Sequence, residues 1–226
     1  MTAMLLVEDL LLLLMDDETG TPAGAGTLPY TLGGAVLVEL ALLGRVDTTG
    51  AGGFSGEKVI AVEGEPLADP LLRQAYEKVA EKPRGVQTLL LQIGGNLWND
   101  VVDRLVGQGL VRRESRKVLG LFRTTRLPAA DGQREQETRD RIRAVLVDGA
   151  EPDTRTAALI ALLSASGALP ALRPQLAWST PVIKRAKELE QGNWGASAVN
   201  TAVARTAAAI ATSSAVVAVT VITTTS

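Results

Sequence analysis

Thr31-Leu-Gly-Gly-Ala-Val-Leu-Val-Glu-Leu-Ala-Leu-Leu-Gly-Arg-Val46 is the stretch on which the fold turns. A polar, Gly-rich lead-in over Thr21 to Tyr30 gives way to an apolar run broken by one acid, Glu39, and stopped at Gly44. Strong helix formers fill it (Ala35, Leu37, Leu40, Ala41, Leu42, Leu43), and Gly44 stands where a helix ends in a left-handed residue. Apolar side chains lie nearly all round the helical period, so the helix must be buried on most faces. Only a surrounding layer of other helices can bury it.

Composition narrows the chemistry. A 46% apolar share with 21% charged residues over 226 residues is that of a globular chain, read as one domain over 1–226. Aromatics make up 3%, so the core must be aliphatic. Cysteine and histidine are both absent. That removes disulfides, Ser-His-Asp and Cys-His nucleophile pairs, the usual zinc ligands and any base poised near neutral pH. A non-enzymatic protein without cofactor or metal is the expectation.

Outward from the central stretch, Met4 to Met15 reads as a first core helix. Its Leu run lacks the preceding basic residues of a signal peptide, and Glu8 and Asp9 are assigned to its one exposed edge. Residues 20–30 read as a loop. They lack the Gly-Lys-Ser/Thr ending of a nucleotide-binding turn and are taken as a connector. Arg45–Thr49 and Lys58–Glu63 read as two strands of a hairpin with a Gly-rich tip. Helices follow at Asp69–Glu81, Val86–Ile93 and Asn96–Gly107, the last with Trp98, Val101, Val102 and Leu105 inward. Two β-prone runs flank Glu114 to Lys117, which predicts a hairpin turning there, and helix-then-hairpin is the order of a winged helix. Further helices are expected at Gln133–Val147, Asp153–Ser166 with a looser continuation over Leu169–Ala177, and Pro181–Gln191 with Val182, Ile183, Ala186 and Leu189 inward. The Ala/Val-rich end is uncharged from Ala207 to Ile222, sixteen residues against the roughly 20 of a membrane span, and reads as a buried C-terminal helix.

Charge is segregated. Between Arg112 and Arg143 ten basic residues face five acids, a surplus of five, while the remainder carries thirteen basic and twenty acidic residues. Nine of the ten are arginine, whose planar fork suits phosphate oxygens. Arg139 and Arg143 are one turn apart and able to meet the same anion, although a solvated face with pairs such as Glu135 to Arg139 is the alternative. Nucleic acid fits poorly. The would-be groove helix, Asn96–Gly107, carries Asp100 and Asp103 against Arg104 alone, the wrong sign for phosphate.

Three blocks resemble the Golgi phosphoprotein 3 family, in a bacterial, actinobacterial-looking branch. They are Leu5-Leu-Val-Glu-Asp-Leu-Leu-Leu-Leu-Leu, Gly33-Gly-Ala-Val-Leu-Val-Glu-Leu-Ala-Leu-Leu-Gly-Arg-Val, and Val102-Asp-Arg-Leu-Val-Gly-Gln-Gly-Leu-Val. A fourth, Arg155-Thr-Ala-Ala-Leu-Ile-Ala-Leu-Leu-Ser-Ala-Ser-Gly-Ala-Leu, is similar to a later block of the family. The order is kept from about residue 4 to 190. The resemblance implies a mainly α fold, a hydrophobic central helix ringed by amphipathic helices with peripheral β-hairpins. It also implies peripheral membrane binding through phosphatidylinositol 4-phosphate on a flat basic face, which in eukaryotic members supports Golgi trafficking and glycosyltransferase retention. The family's headgroup pocket uses a Trp in the loop before the central helix, which residues 20–30 lack, and an Arg at the position of Gly33. Of its other basic residues Arg139 is the best match, with Arg134 and Arg143 as neighbours. The membrane-inserting hairpin corresponds to the region around Leu119 to Phe122.

The combined expectation is a non-enzymatic peripheral membrane protein that binds phosphoinositide-like or other anionic headgroups through Arg126, Arg134, Arg139 and Arg143, without cofactor. It is placed in the cytoplasm at the inner face of the membrane. Its partners are anionic lipid and, second, cytoplasmic tails of membrane proteins, with no specific nucleic acid. The alternatives are an adaptor that grips acidic partners and, behind it, a winged-helix nucleic-acid binder.

Overall fold

A computed structural model describes residues 4–49, 58–118, 122–172, 176–192 and 203–212, with the backbone alone at 115–118 and 122–124. In chain order its helices are α1 (Leu6–Leu14), α2 (Leu28–Leu42), α3 (Pro70–Ala80), α4 (Val86–Gly94), α5 (Leu97–Gly107), α6 (Gln133–Leu146), α7 (Thr154–Ala165), α8 (Thr180–Glu190) and α9 (203–212). The strands are β1 (Val46–Thr48), β2 (Lys58–Ala61), β3 (Arg84–Gly85), β4 (Glu114–Val118) and β5 (Phe122–Arg126). The architecture is mainly helical with small antiparallel sheets, as expected.

The central stretch is α2, and every residue from Thr31 to Ala41 is buried. The helix begins three residues before Thr31 because Pro29, with φ already fixed, suits the first turn. It ends as its sequence requires. Gly44 takes φ +66°, its N–H meets the Ala41 carbonyl at 3.0 Å, and the Arg45 N–H reaches the Leu40 carbonyl at 2.8 Å. That is a Schellman motif, which satisfies carbonyls the helix leaves open.

Helices α1, α3, α4, α5 and α7 pack on α2, with α6 and α8 outside α7. The α2–α4 crossing is the closest. A Cβ on Gly33 would stand 2.3 Å from the Leu90 carbonyl oxygen, and one on Gly94 would stand 1.7 Å from that of Pro29. Both positions therefore require glycine.

The first hairpin is present, with Val46 opposite Ala61. A third strand, β3, adds Gly85 opposite Lys58; two residues are too few to leave a strand pattern in a sequence. The second hairpin is shifted from its expected place. Glu114–Lys117 belongs to β4 itself, and Glu114 stands opposite Arg126 and Val118 opposite Phe122. A two-stranded ribbon needs no apolar alternation, so charged residues that read as a turn are strand. Leu119 to Leu121 lie outside the described residues.

Leu169–Leu172 is a short 3-10 turn rather than a loose continuation of α7, and Ile183 faces out. The buried C-terminal helix is found at 203–212, where Ile210 lies over Gly34, and residues 213–226 lie outside the described residues. Among the described residues no helix is long and apolar enough to cross a membrane.

Candidate functional site

Glu8 and Asp9 sit in the Leu run of α1, and the expectation that they occupy an exposed edge is wrong. Glu8 is 0% and Asp9 2% exposed. A buried carboxylate is costly unless paired and hydrogen-bonded, and here arginines from three other helices supply the pairing. Arg104 of α5 donates from Nε to Glu8 at 2.7 Å and from Nη2 to Asp69 at 2.8 Å. Arg134 of α6 donates from Nε to Asp9 at 3.1 Å. Arg155 of α7 donates from Nη2 to Asp9 at 3.2 Å and from Nη1 to Glu39 of α2 at 3.1 Å.

The remaining acceptor capacity is also used. Glu8 takes the Leu5 N–H at 2.6 Å and the Gln108 side chain at 2.9 Å, and Glu39 takes the Leu6 N–H. These carboxylates therefore cap the start of α1, where the positive end of its dipole favours them. Burial opposes the charge on Arg104, but Glu8 and then Asp69 outweigh it and raise its pKa. The cluster binds five helices together and leaves no free base. Among the described residues no group of three or more acids could hold a metal ion.

The four arginines singled out in the sequence fall into different settings. Arg134 holds Asp9. Arg139, with 12% of its side chain exposed, turns back to buried Glu135 through Nε at 2.9 Å and through Nη2. Arg143 turns the other way, to Asp148 at 3.3 Å, with about half its side chain in solvent. Arg139 and Arg143 are thus not directed at one point. Arg126 is exposed at the end of β5, opposite Glu114. Exposed Arg112 is held nearby, its N–H on the Pro128 carbonyl at 2.9 Å, and Arg141 is exposed on α6.

Between the loop at Thr19–Pro22, α5 and the hairpin base lies an open cleft of about 660 Å³, lined by Trp98, Asn99, Asp103, Arg113 and Thr125. Its two charged groups neutralise each other, Arg113 donating to Asp103 at 2.6 Å. The loop is fixed by its own acids. Asp16, hydrogen-bonded by Thr19 side chain and backbone, has its pKa lowered. Asp17 gives its carbonyl to Ala129 and its carboxyl to Glu135. Burial raises the pKa of Glu135, Arg139 opposes this, and the neighbouring Asp17 charge adds to it.

A family model, Golgi phosphoprotein 3, matches residues 6–206. The chain belongs to the Golgi phosphoprotein 3 family. The matched span takes in every element from α1 into α9, and with it all members of the buried cluster. Membership supports a lipid-binding or adaptor role and points to no catalytic family. In this Golgi phosphoprotein 3 family member, Gly33 lies sealed against α4, so an arginine side chain has no room at that position.

Sequence reasoning missed the pairing of Arg104 and Arg155 with the four acids they bind, Glu8, Asp69, Asp9 and Glu39. The signal was present, since Glu39 in a helix apolar all round and two acids inside a Leu run each demand a buried partner.

Proposed function

We propose that this protein, a bacterial-branch member of its family, is a non-enzymatic peripheral membrane protein that binds anionic, phosphoinositide-like headgroups from the inner, cytoplasmic face. The observation that carries the reading is the division of labour among its arginines. Arg104, Arg134 and Arg155 are tied to buried carboxylates and Arg139 to Glu135, whereas Arg112, Arg126, Arg141 and Arg143 remain exposed within the sector of surplus positive charge. Headgroup contact then falls to Arg126 and Arg143 of the four arginines singled out, joined by Arg112 and Arg141.

The hairpin supports the same reading. Its register sets Val118 opposite Phe122 and, one rung back, Lys117 opposite Arg123. An apolar end behind a basic collar suits a surface with acyl chains below and phosphates above. Near an anionic leaflet each such charge is worth roughly 1 kcal/mol, so several together hold a chain in which no described helix is long and apolar enough to cross a membrane.

Liposome co-sedimentation tests the proposal. Vesicles containing phosphatidylinositol or its 4-phosphate should pellet the protein and neutral vesicles should not. Equal recovery with both would overturn it.

A further inference from the structure

A different cavity, of about 470 Å³, lies between the start of α1, the end of α2 and the loop before α3. Met4, Leu5, Leu43, Pro66, Leu67 and Leu72 give it aliphatic walls, and Glu39, Glu65, Asp69 and Arg155 also border it. Arg45 also lines it, delivered there by the Schellman turn that ends α2. The guanidinium stacks on the Tyr76 ring at 4.4 Å, and Nε donates to the Val62 carbonyl at 3.1 Å while Nη1 donates to that of Glu65. Tyr76 in turn donates from its hydroxyl to the Val62 carbonyl at 3.2 Å, so Arg45 and Tyr76 share that acceptor.

Arg45 differs from the arginines that pair with the carboxylates of α1 and α2. It is 8% exposed, yet among the described residues no carboxylate lies within ion-pair distance of it and Nη2 has no acceptor. The acids around the cavity are otherwise occupied or remote. Glu39 belongs to Arg155, Asp69 to Arg104, and Glu65 is exposed at the rim and offers Arg45 its carbonyl. The negative end of the α2 dipole and the tyrosine face offset part of the charge. A buried cation still calls for an anion.

We propose that this cavity binds an aliphatic carboxylate, its chain along the leucine walls and its headgroup on the open edge of Arg45. A volume of this size with aliphatic walls and, among charged groups paired elsewhere, one guanidinium without a counter-ion among the described residues is that of a small-ligand site. One open guanidinium edge matches a single carboxylate, whereas a phosphate dianion calls for more donors. The site is separate from the basic sector.

Calorimetric titration with decanoate, below its micelle concentration, is the test, with decanol and decylammonium as the matched neutral and cationic probes. Decanoate should saturate one site, decanol should bind at least tenfold more weakly, and decylammonium should not bind. Arg45→Gln should lose at least tenfold for decanoate. Because Arg45 also clips the loop at 62–65, a second variant guards against misfolding. Leu43→Glu, on a half-exposed wall, should weaken decanoate at least fivefold and decanol less than twofold. Equal binding of decanoate and decanol, uptake that does not saturate, or an unaffected Leu43→Glu variant would overturn the site. Arg126→Glu with Arg143→Glu should leave decanoate binding unchanged. Failure of liposome binding with decanoate binding intact would therefore count against the membrane proposal alone.

Discussion

Arg104 and Arg155 each hold carboxylates contributed by two different parts of the chain, and of these acids Glu8, Asp9 and Glu39 are buried while Asp69 is partly buried. Removing one arginine leaves a buried acid without its partner, which typically costs about 3–5 kcal/mol. Arg155→Ala should therefore lower the urea midpoint of unfolding by that equivalent, and Arg104→Ala likewise. A loss under 1 kcal/mol in both would show the cluster to be superficial. Glu135 gives a second test, with a defined sign. Its folded pKa is raised, chiefly by burial, so it binds its proton more tightly in the folded state than in the unfolded. Its contribution to stability is complete below the unfolded value and is lost as pH rises through the folded one. The stability of the protein relative to a Glu135→Gln variant should accordingly grow as pH falls from 7 toward 4, measured as the difference in urea midpoints at each pH.

At the scale of elements, the α2–α4 crossing depends on two glycines whose missing Cβ atoms admit the facing backbone. Gly94→Ala places a methyl 1.7 Å from the Pro29 carbonyl oxygen, which forces the helices apart. The loss should be about 3 kcal/mol or more, read from thermal unfolding. Gly33→Arg, which restores the residue type expected of the family's headgroup pocket, should fail to fold rather than gain lipid. Helices were legible from the sequence to within a few residues because each shows an apolar face and a stop signal: Asp69 and Pro70 for α3, Gly44 for α2. What could not be read depends on contacts distant in sequence. Arg104 and Glu8 are 96 positions apart, and nothing local shows that they meet. The same holds for β3, whose two residues become strand only beside β2, and for Arg139, whose side chain could have gone to Arg143's side or to Glu135. The candidate site was thus legible as a sector of charge but not as individual contacts.

For the whole molecule, the arginines divide between holding the fold and facing solvent, and the two sets should respond differently to substitution. Near an anionic membrane each exposed cation is worth about 1 kcal/mol, so Arg126→Gln with Arg143→Gln should cost about 2 kcal/mol, or roughly 30-fold in partitioning onto anionic vesicles. Among the described residues their partners are weak or absent. Arg143 and Asp148 are each about half exposed, so the variant should unfold at nearly the wild-type temperature. Arg139→Gln should behave oppositely. It leaves Glu135 buried without its cation, lowering stability, while vesicle binding by the folded fraction changes less than threefold. Salt provides an independent check. The Debye length shrinks from about 8 Å at physiological ionic strength to about 3 Å at 1 M, so wild-type protein bound through exposed arginines should be released by 1 M salt without detergent. If apolar insertion of the hairpin end dominates instead, the protein should stay with the pellet at 1 M salt and leave it when Phe122 is changed to Ser. Release by salt together with the 30-fold loss in the double variant would assign the membrane contact to charge.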